Sequence, residues 1–412
     1  MKDLKRFFVS RPWRLPQNDV NWAAMINDIY LNIISKENLY RSAYLAAKAR
    51  RYTDSAAEFN FHLEAEIEKL HRELKEKTYQ HGKYRVFTVY DPKERKISAA
   101  PFRDRVAHHA VHDVIEPLMD KAFIYHSFAC RKNKGTHKAL DWAQKFLRLN
   151  AFCFHGDIKK YFFSIDRGIL KDVLRERIDD QDLLWLLDKI IDSAAYAGEQ
   201  KGLPIGNLTS QFFANLYLNE LDYFVKFDLK VKFYIRYMDD FIIFENDKQK
   251  LVGFKSRIRD FLKIKLALEL HEGKSQIYNT GTGIKFLGFR VFKNHRRLTT
   301  DNVRRFKKKI KKFGYLLSNR KIKEGKIRDA VRCWVAHSSY ANTNGLRLNM
   351  FNDLMEKDEC LGGLLKDVLL NKNNGDGSIF NRTVPMEMTE NAGGGDNDKS
   401  FVGSPCSGLV DA

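Results

Sequence analysis

Cysteine is scarce. There are five in 412 residues (Cys130, Cys153, Cys333, Cys360 and Cys406), odd in number, far apart and in no metal-ligand spacing. That pattern argues against a cysteine-bound metal and for a reduced, cytoplasmic protein. Long apolar runs are also missing, so no stretch reads as a bilayer span and no membrane partner is expected. The first residues, Met1-Lys2-Asp3-Leu4-Lys5-Arg6-Phe7-Phe8, lack the extended apolar core of a secretion signal. Negative charge is in deficit, with 72 Lys and Arg against 52 Asp and Glu, a net +20. Such an excess points to a polyanionic partner, most often nucleic acid. The length allows two or three subdomains and a sizeable core.

What is present is organised around Phe233-Tyr234-Ile235-Arg236-Tyr237-Met238-Asp239-Asp240-Phe241-Ile242-Ile243-Phe244. Two β-rich apolar runs flank a Met-Asp-Asp step, which reads as a hairpin with adjacent carboxylates at its turn. Held close by the backbone, the two acids repel, and a hard cation such as Mg²⁺ relieves that repulsion. A surface turn would carry the same pair, since Asp favours turns. A third acid is available in Cys153-Phe154-His155-Gly156-Asp157-Ile158-Lys159-Lys160-Tyr161-Phe162, where Asp157 follows a short apolar strand. It completes a two-metal site with Asp239 and Asp240, or caps a helix.

The other segments are read in chain order. Residues 35–78 have helical spacing. Tyr84–Tyr90 alternates as a strand, Asp91-Pro92-Lys93-Glu94-Arg95 turns, and Lys96–Ala99 starts a second strand. Lys93 and Arg95 are placed to hold a triphosphate, Arg by its bidentate fork, or simply to sit in solvent. Pro101–Met119 reads as a helix whose His108 and His112 lie four apart; with no third ligand type nearby, packing explains them as well. Ser127–Lys138 is a basic, Gly-containing loop before a helix, in which Arg131 and Gly135 are candidates for template phosphates, or which is simply a helix entry. Residues 167–198 are helical by period. A turn-rich loop from Gly202 to Gln211 leads into an amphipathic helix from Phe212 to about Phe227. Residues 247–268 form a helix with Leu251, Phe254, Ile258, Phe261 and Leu262 on one face, and Gly283–Val291 reads as one strand. Arg304–Arg328 is densely basic with apolar residues at helical spacing, which favours a duplex backbone over a merely solvated face. From Asn371 the composition turns to Asn, Gly, Asp and Ser, a flexible tail.

The order of these pieces resembles the reverse transcriptases, over roughly residues 40 to 350. Within them, Leu203-Pro204-Ile205-Gly206-Asn207-Leu208-Thr209-Ser210-Gln211, with Asp91–Arg95 and Ser127–Arg131, resembles the enzymes of diversity-generating retroelements. The resemblance implies an α+β right-hand polymerase fold. An N-terminal extension (1–35) would precede fingers and the start of the palm (36–156). A palm of antiparallel sheet with helices on one face (157–298) would follow, carrying a fingers insertion near 167–200. A helical thumb (299–370) and the tail would complete the chain.

It also implies residue roles. Asp157, Asp239 and Asp240, with the backbone carbonyl of Ile158, hold two Mg²⁺ ions, with Mn²⁺ as a possible substitute. Lys93 and Arg95 meet the incoming triphosphate, and Phe162 gates against a ribose 2′-hydroxyl. Ile205, Gly206 and Gln211 line the nucleotide site, and Lys274 lies near the leaving pyrophosphate. Phe286, Leu287 and Gly288 belong to the primer grip, and Arg304, Lys308 and Lys311 to the thumb's duplex contact. The implied partners are template RNA and cDNA, dNTPs, and an accessory protein or structured noncoding RNA. Reverse transcriptases of antiphage defence, which also carry appended segments, are the alternative. A non-catalytic RNA-binding protein would account for the charge but not for the three acids. No RNase H segment or Cys/His nuclease cluster follows the thumb, so the template is expected to survive copying.

Overall fold

A computed structural model of the chain describes residues 29–48, 53–90, 94–194, 200–357 and 359–370. The expected N-terminal extension up to residue 28, Lys93 and the tail from 371 lie outside the described residues. In chain order the elements begin with α1 (Ile29–Ile34), α2 (Lys36–Ala47), α3 (Asp54–Phe61), α4 (Leu63–Lys75), β1 (Arg85–Val89), β2 (Arg95–Ala99) and α5 (Phe102–Asp120). Next come α6 (Thr136–Leu149), β3 (Phe152–Asp157), α7 (Tyr161–Ser164), α8 (Arg167–Arg175), α9 (Gln181–Asp192) and α10 (Leu208–Tyr223). They continue with β4 (Phe233–Tyr237), β5 (Asp240–Glu245), α11 (Lys248–Lys265) and β6 (Gln276–Asn279). The last are β7 (Ile284–Phe286), β8 (Phe289–Val291), β9 (Arg296–Leu298), α12 (Thr300–Ser318), α13 (Glu324–Ser338), α14 (Asn344–Lys357) and α15 (Glu359–Leu370).

The described residues fall into two compact units, 29–135 with 154–277, and 136–153 with 278–370. Residues 136–153 therefore group with later chain rather than with what precedes them. The reason is local bonding: Gln144 and Arg148 of α6 donate to the carbonyls of Phe292 and Lys293, and Thr280 donates to that of Asn150.

In the first unit, helix starts follow capping chemistry. Ser35, Asp166, Asp180 and Asp247 accept backbone N–H bonds at the starts of α2, α8, α9 and α11. The 167–198 helical stretch is thus two helices, because Asp180 starts a new one. β1 and β2 form the expected antiparallel hairpin, Val89 opposite Arg95. α11 buries Leu251, Ile258, Phe261 and Leu262, the face its period predicts.

Two expectations change. Helix α10 begins at Leu208 and is buried almost all round, not amphipathic. Its Asn215, Asn219 and Asp222, spaced along one stripe, are buried too, so its polar residues serve the interior. Each of its buried Leu and Phe side chains contributes about 1.5–3 kcal/mol. Residues 283–291 form a hairpin, β7–β8, because Leu287 (φ 50°) and Gly288 (φ 85°) both take left-handed backbone and reverse the chain.

The sheet that carries the candidate site has the order β4-β5-β3-β6. β3 thus lies beside β5, which brings Asp157 near the Asp239–Asp240 turn although 81 residues of chain intervene.

Candidate active site

β4 and β5 pair antiparallel with Tyr237 opposite Asp240, leaving Met238 and Asp239 as a two-residue turn. Met238 sits at φ 55°, backbone that L residues with side chains take only under restraint. The strand interiors are fully buried: Tyr234, Ile235, Phe241, Ile242 and Ile243 have no exposure. The acids therefore stand at the rim of a rigid apolar platform.

Asp157 ends β3. Its N–H donates to Ser275 Oγ at 3.2 Å and its carbonyl accepts from His271 N–H at 2.8 Å. Lys274 Nζ lies 2.9 and 3.1 Å from the two carboxylate oxygens. The bridge between Ile158 and Leu270 uses the Asp157 carbonyl and the Lys159 N–H, so it leaves the Ile158 carbonyl uncommitted.

Electrostatics place the three acids in one field. Burial, then the charges of Asp157 and Asp240, push the Asp239 carboxyl up to about 6, against the pull of Lys274. His155 was not singled out from the sequence. Its Nε2 bonds Asp240 Oδ1, and although burial disfavours its charge, Asp240 and then Asp157 raise its pKa on balance. Strand alternation was the available signal, since His155 and Asp157 are two apart and share a face of β3.

Oxygen donors in mutual repulsion suit Mg²⁺ or Mn²⁺. Among the described residues, however, no three His, Cys, Asp or Glu side chains close into a ready metal cage. The acids are matched in pairs instead, Lys274 with Asp157 and His155 with Asp240. The donor chemistry of the three carboxylates fits divalent ions.

Around the acids, α7 carries Phe162, whose carbonyl accepts from Leu203 N–H at 2.8 Å. Ile205 accepts at its carbonyl from Ser98 N–H at 2.9 Å, and Asn207 Nδ2 reaches the Ser98 carbonyl at 3.1 Å. Gly206 takes φ 111°, and a Cβ there would fall 2.7 Å from Ile97 Cγ2. The 202–211 loop is thereby tied to the β1–β2 hairpin. Gln211 accepts from the Cys130 thiol at 3.3 Å. Arg95 is exposed at the start of β2.

Arg131 is bonded within its own loop. Its side chain is only 6 % exposed, bonded to Asp120 and to the carbonyls of Ile124 and Ser127. Those bonds satisfy its guanidinium and clamp the loop. Gly135 at φ 93° faces open space. In the second unit Phe286 is buried, Leu287 and Gly288 make the β7–β8 turn, and Arg304, Lys308 and Lys311 are exposed along α12 beside Thr300, Val303 and Lys307.

Mixed helix and antiparallel sheet, with acids at the rims of adjacent strands, is the setting of the candidate site. The family model described as reverse transcriptase (RNA-dependent DNA polymerase) matches residues 75–291, just over half of the chain, and the chain belongs to that family. It is similar to the group II intron-encoded protein LtrA of Lactococcus lactis subsp. cremoris, 24% identical over 335 residues (64% of this chain, 55% of the relative). It is also similar to protein YkfC of Escherichia coli K12, 25% identical over 255 residues (51% and 67%). A putative COX1/OXI3 intron 2 protein of Saccharomyces cerevisiae is 21% identical over 350 residues (68% and 40%). The chain spans about half the length of the Lactococcus relative. No helix among the described residues is long and apolar enough to cross a membrane.

Proposed function

We propose that this chain is an RNA-directed DNA polymerase that extends a primer 3′-end on an RNA template with dNTPs. The observation that supports it most is the convergence of Asp157 with the Asp239–Asp240 turn on adjacent strands β3 and β5; burial, and then Asp157's charge, raise the Asp239 carboxyl to about 6. Divalent ions, when bound, supply positive charge to the attacking and leaving oxygens of the phosphoryl transfer. Asp157 and Asp239 would hold them, with the Ile158 carbonyl. Asp240, tied to His155, would complete the field from one side. Lys274, freed from Asp157, would meet the leaving pyrophosphate, and Arg95 the triphosphate. Positioning and charge carry such a reaction, with little covalent work left to the protein. Primer extension with purified protein, an RNA template and Mg²⁺ or Mn²⁺ tests this reading; no labelled DNA product under either ion would refute it.

Phe162 would exclude a ribose 2′-oxygen by volume. Phe162→Ala is expected to raise ribonucleotide incorporation by about 10²-fold, the scale of opening a tight apolar pocket. Competition between dGTP and GTP in single-nucleotide addition measures it.

The same reading assigns the enzyme to error-prone synthesis in a diversity-generating retroelement, on the strength of the Ile205–Gln211 motif. Ile205 cannot hydrogen-bond where a Gln could, so mispairs opposite some template bases would be tolerated. Ile205→Gln is expected to change misincorporation opposite the most error-prone template base by about tenfold, roughly one hydrogen bond's worth. Sequencing the products reads this, and an unchanged spectrum would remove Ile205 as the cause. Sequencing cDNA made in cells, with its template RNA, separates a variable-repeat template from an intron RNA or a defence-associated noncoding RNA.

A further inference from the structure

One buried cation is not accounted for by the reaction chemistry above. Arg236 lies in β4 three residues before Asp239, and its side chain has no exposure. Its Nε and Nη2 donate to Asp222 of α10 at 2.7 and 2.6 Å. Its Nη1 donates to Asn215 Oδ1 at 3.0 Å and to the Met238 carbonyl at 3.2 Å. Asp222 also accepts from Tyr234 Oη at 2.8 Å, which leaves the carboxylate well satisfied.

The backbone of the same residue holds a second segment. Arg236 N–H donates to the His126 carbonyl and Phe128 N–H donates to the Arg236 carbonyl, both at 3.0 Å. Asn215 Nδ2 donates to the Ala129 carbonyl at 2.6 Å. One residue therefore joins helix α10 and the turn that presents Asp239 through its side chain, and the 126–129 segment through its backbone.

We infer that Arg236 is a positioning residue: clamped by Asp222 and Asn215, it holds the left-handed Met238 step that aims Asp239 at Asp157. The left-handed step needs an external restraint, because Met gains nothing from that conformation. The Nη1 bond to the Met238 carbonyl is that restraint, and Asn215 fixes where Nη1 points. Groups that orient a ligand from behind change metal affinity or activity by about 10- to 100-fold when removed. This inference rests on the polymerase reading of the acids.

The test compares three variants of the full chain. Arg236→Lys keeps a positive charge for Asp222 but cannot fork to Asn215 and Met238. Asn215→Ala leaves the Arg236–Asp222 pair intact and removes one guide of Nη1. Asn219→Ala removes a buried amide one turn along the same helix that makes no hydrogen bond to Arg236. Melting temperature, Mn²⁺ binding followed by electron paramagnetic resonance, and kcat and dNTP KM in primer extension are measured for each.

Asn215→Ala and Arg236→Lys are expected to stay folded, with Mn²⁺ affinity and kcat lower by about 10- to 100-fold. Their dNTP KM is expected to stay within about twofold, because the interaction removed acts on the transition state. Asn219→Ala is expected to shift the melting temperature alone. Wild-type kcat and Mn²⁺ affinity in folded Asn215→Ala would overturn the inference. So would equal losses in Asn219→Ala, or failure of both Arg236→Lys and Asn215→Ala to fold, either of which makes the cluster a stability element. If the wild-type chain makes no DNA, the polymerase reading falls, and the Mn²⁺ titrations still decide whether Arg236 aims the acids.

Discussion

Asp239→Asn is expected to abolish DNA synthesis and, in EDTA, to make the protein more stable. The stability gain follows from the Asp239 carboxyl being raised from 3.8 to about 6. Burial disfavours its charge, and Asp157 and Asp240 repel it. Between those two values the native state holds a proton that the unfolded chain has released, so stability falls as pH rises from about 4 to about 6. Above about 6 the full penalty applies. At about 1.4 kcal/mol per pKa unit it is on the order of 2–3 kcal/mol. Asparagine removes that penalty. At pH 8 the melting temperature of Asp239→Asn should exceed wild type by several degrees. At pH 3.5, where the carboxyl is protonated in the native state and mostly protonated in the unfolded chain, the two should nearly coincide.

Loss of synthesis should exceed about 10³-fold, the scale of removing a group that acts on developing charge. RNA binding should persist, since it depends on the basic excess and not on this acid. Thermal melts at the two pH values, primer extension and filter binding check the three parts. A variant that melts below wild type at pH 8 would mean that the acids are not in conflict, and the shared site would lose its support.

Gly156→Ala is expected to be the most damaging single-methyl change in the first unit. A Cβ at Gly156 would sit 2.3 Å from Cζ of Phe241 and 2.7 and 2.8 Å from its Cε atoms. The ring cannot yield easily, because Phe241 is fully buried and packs edge-on against Phe154, with centroids 5.9 Å apart. Overpacking of this kind costs about 3 kcal/mol or more. The site moves with it, since Gly156 precedes Asp157 and Phe241 follows Asp240. A displacement of about 1 Å between the two acids costs about 10²-fold in rate. Phe241→Leu should return part of the stability in the double variant, with a coupling of about 1 kcal/mol or more. Urea unfolding of the four proteins in that cycle measures it. Additive losses would show that strand β3 does not lean on the Phe241 ring.

Local pattern decided much of this chain. β-branched and aromatic runs on either side of Met238-Asp239-Asp240 dictate a hairpin, because alternating side chains need two faces and the short polar step must turn. The 3.6-residue period placed α11, and side-chain caps at Ser35, Asp166, Asp180 and Asp247 start four helices where their carboxyl or hydroxyl oxygens meet free N–H groups.

Periodicity could not decide what depends on who lies across from whom. It read 283–291 as one strand, where two residues with positive φ fold it into a hairpin. It read α10 as amphipathic, because burial of Asn215 and Asp222 requires an arginine that arrives only from β4. Nor could it show that Asp120 and two carbonyls hold Arg131. His155 and Gly156 carried no signal strong enough to stand out, since their importance lies in Asp240 and Phe241 on a neighbouring strand. The residue types and the order of the pieces thus belong to the sequence alone. The meeting of Asp157 with Asp239, and the packing that aims both, belong to the sheet order, which non-local pairing sets and no local pattern encodes.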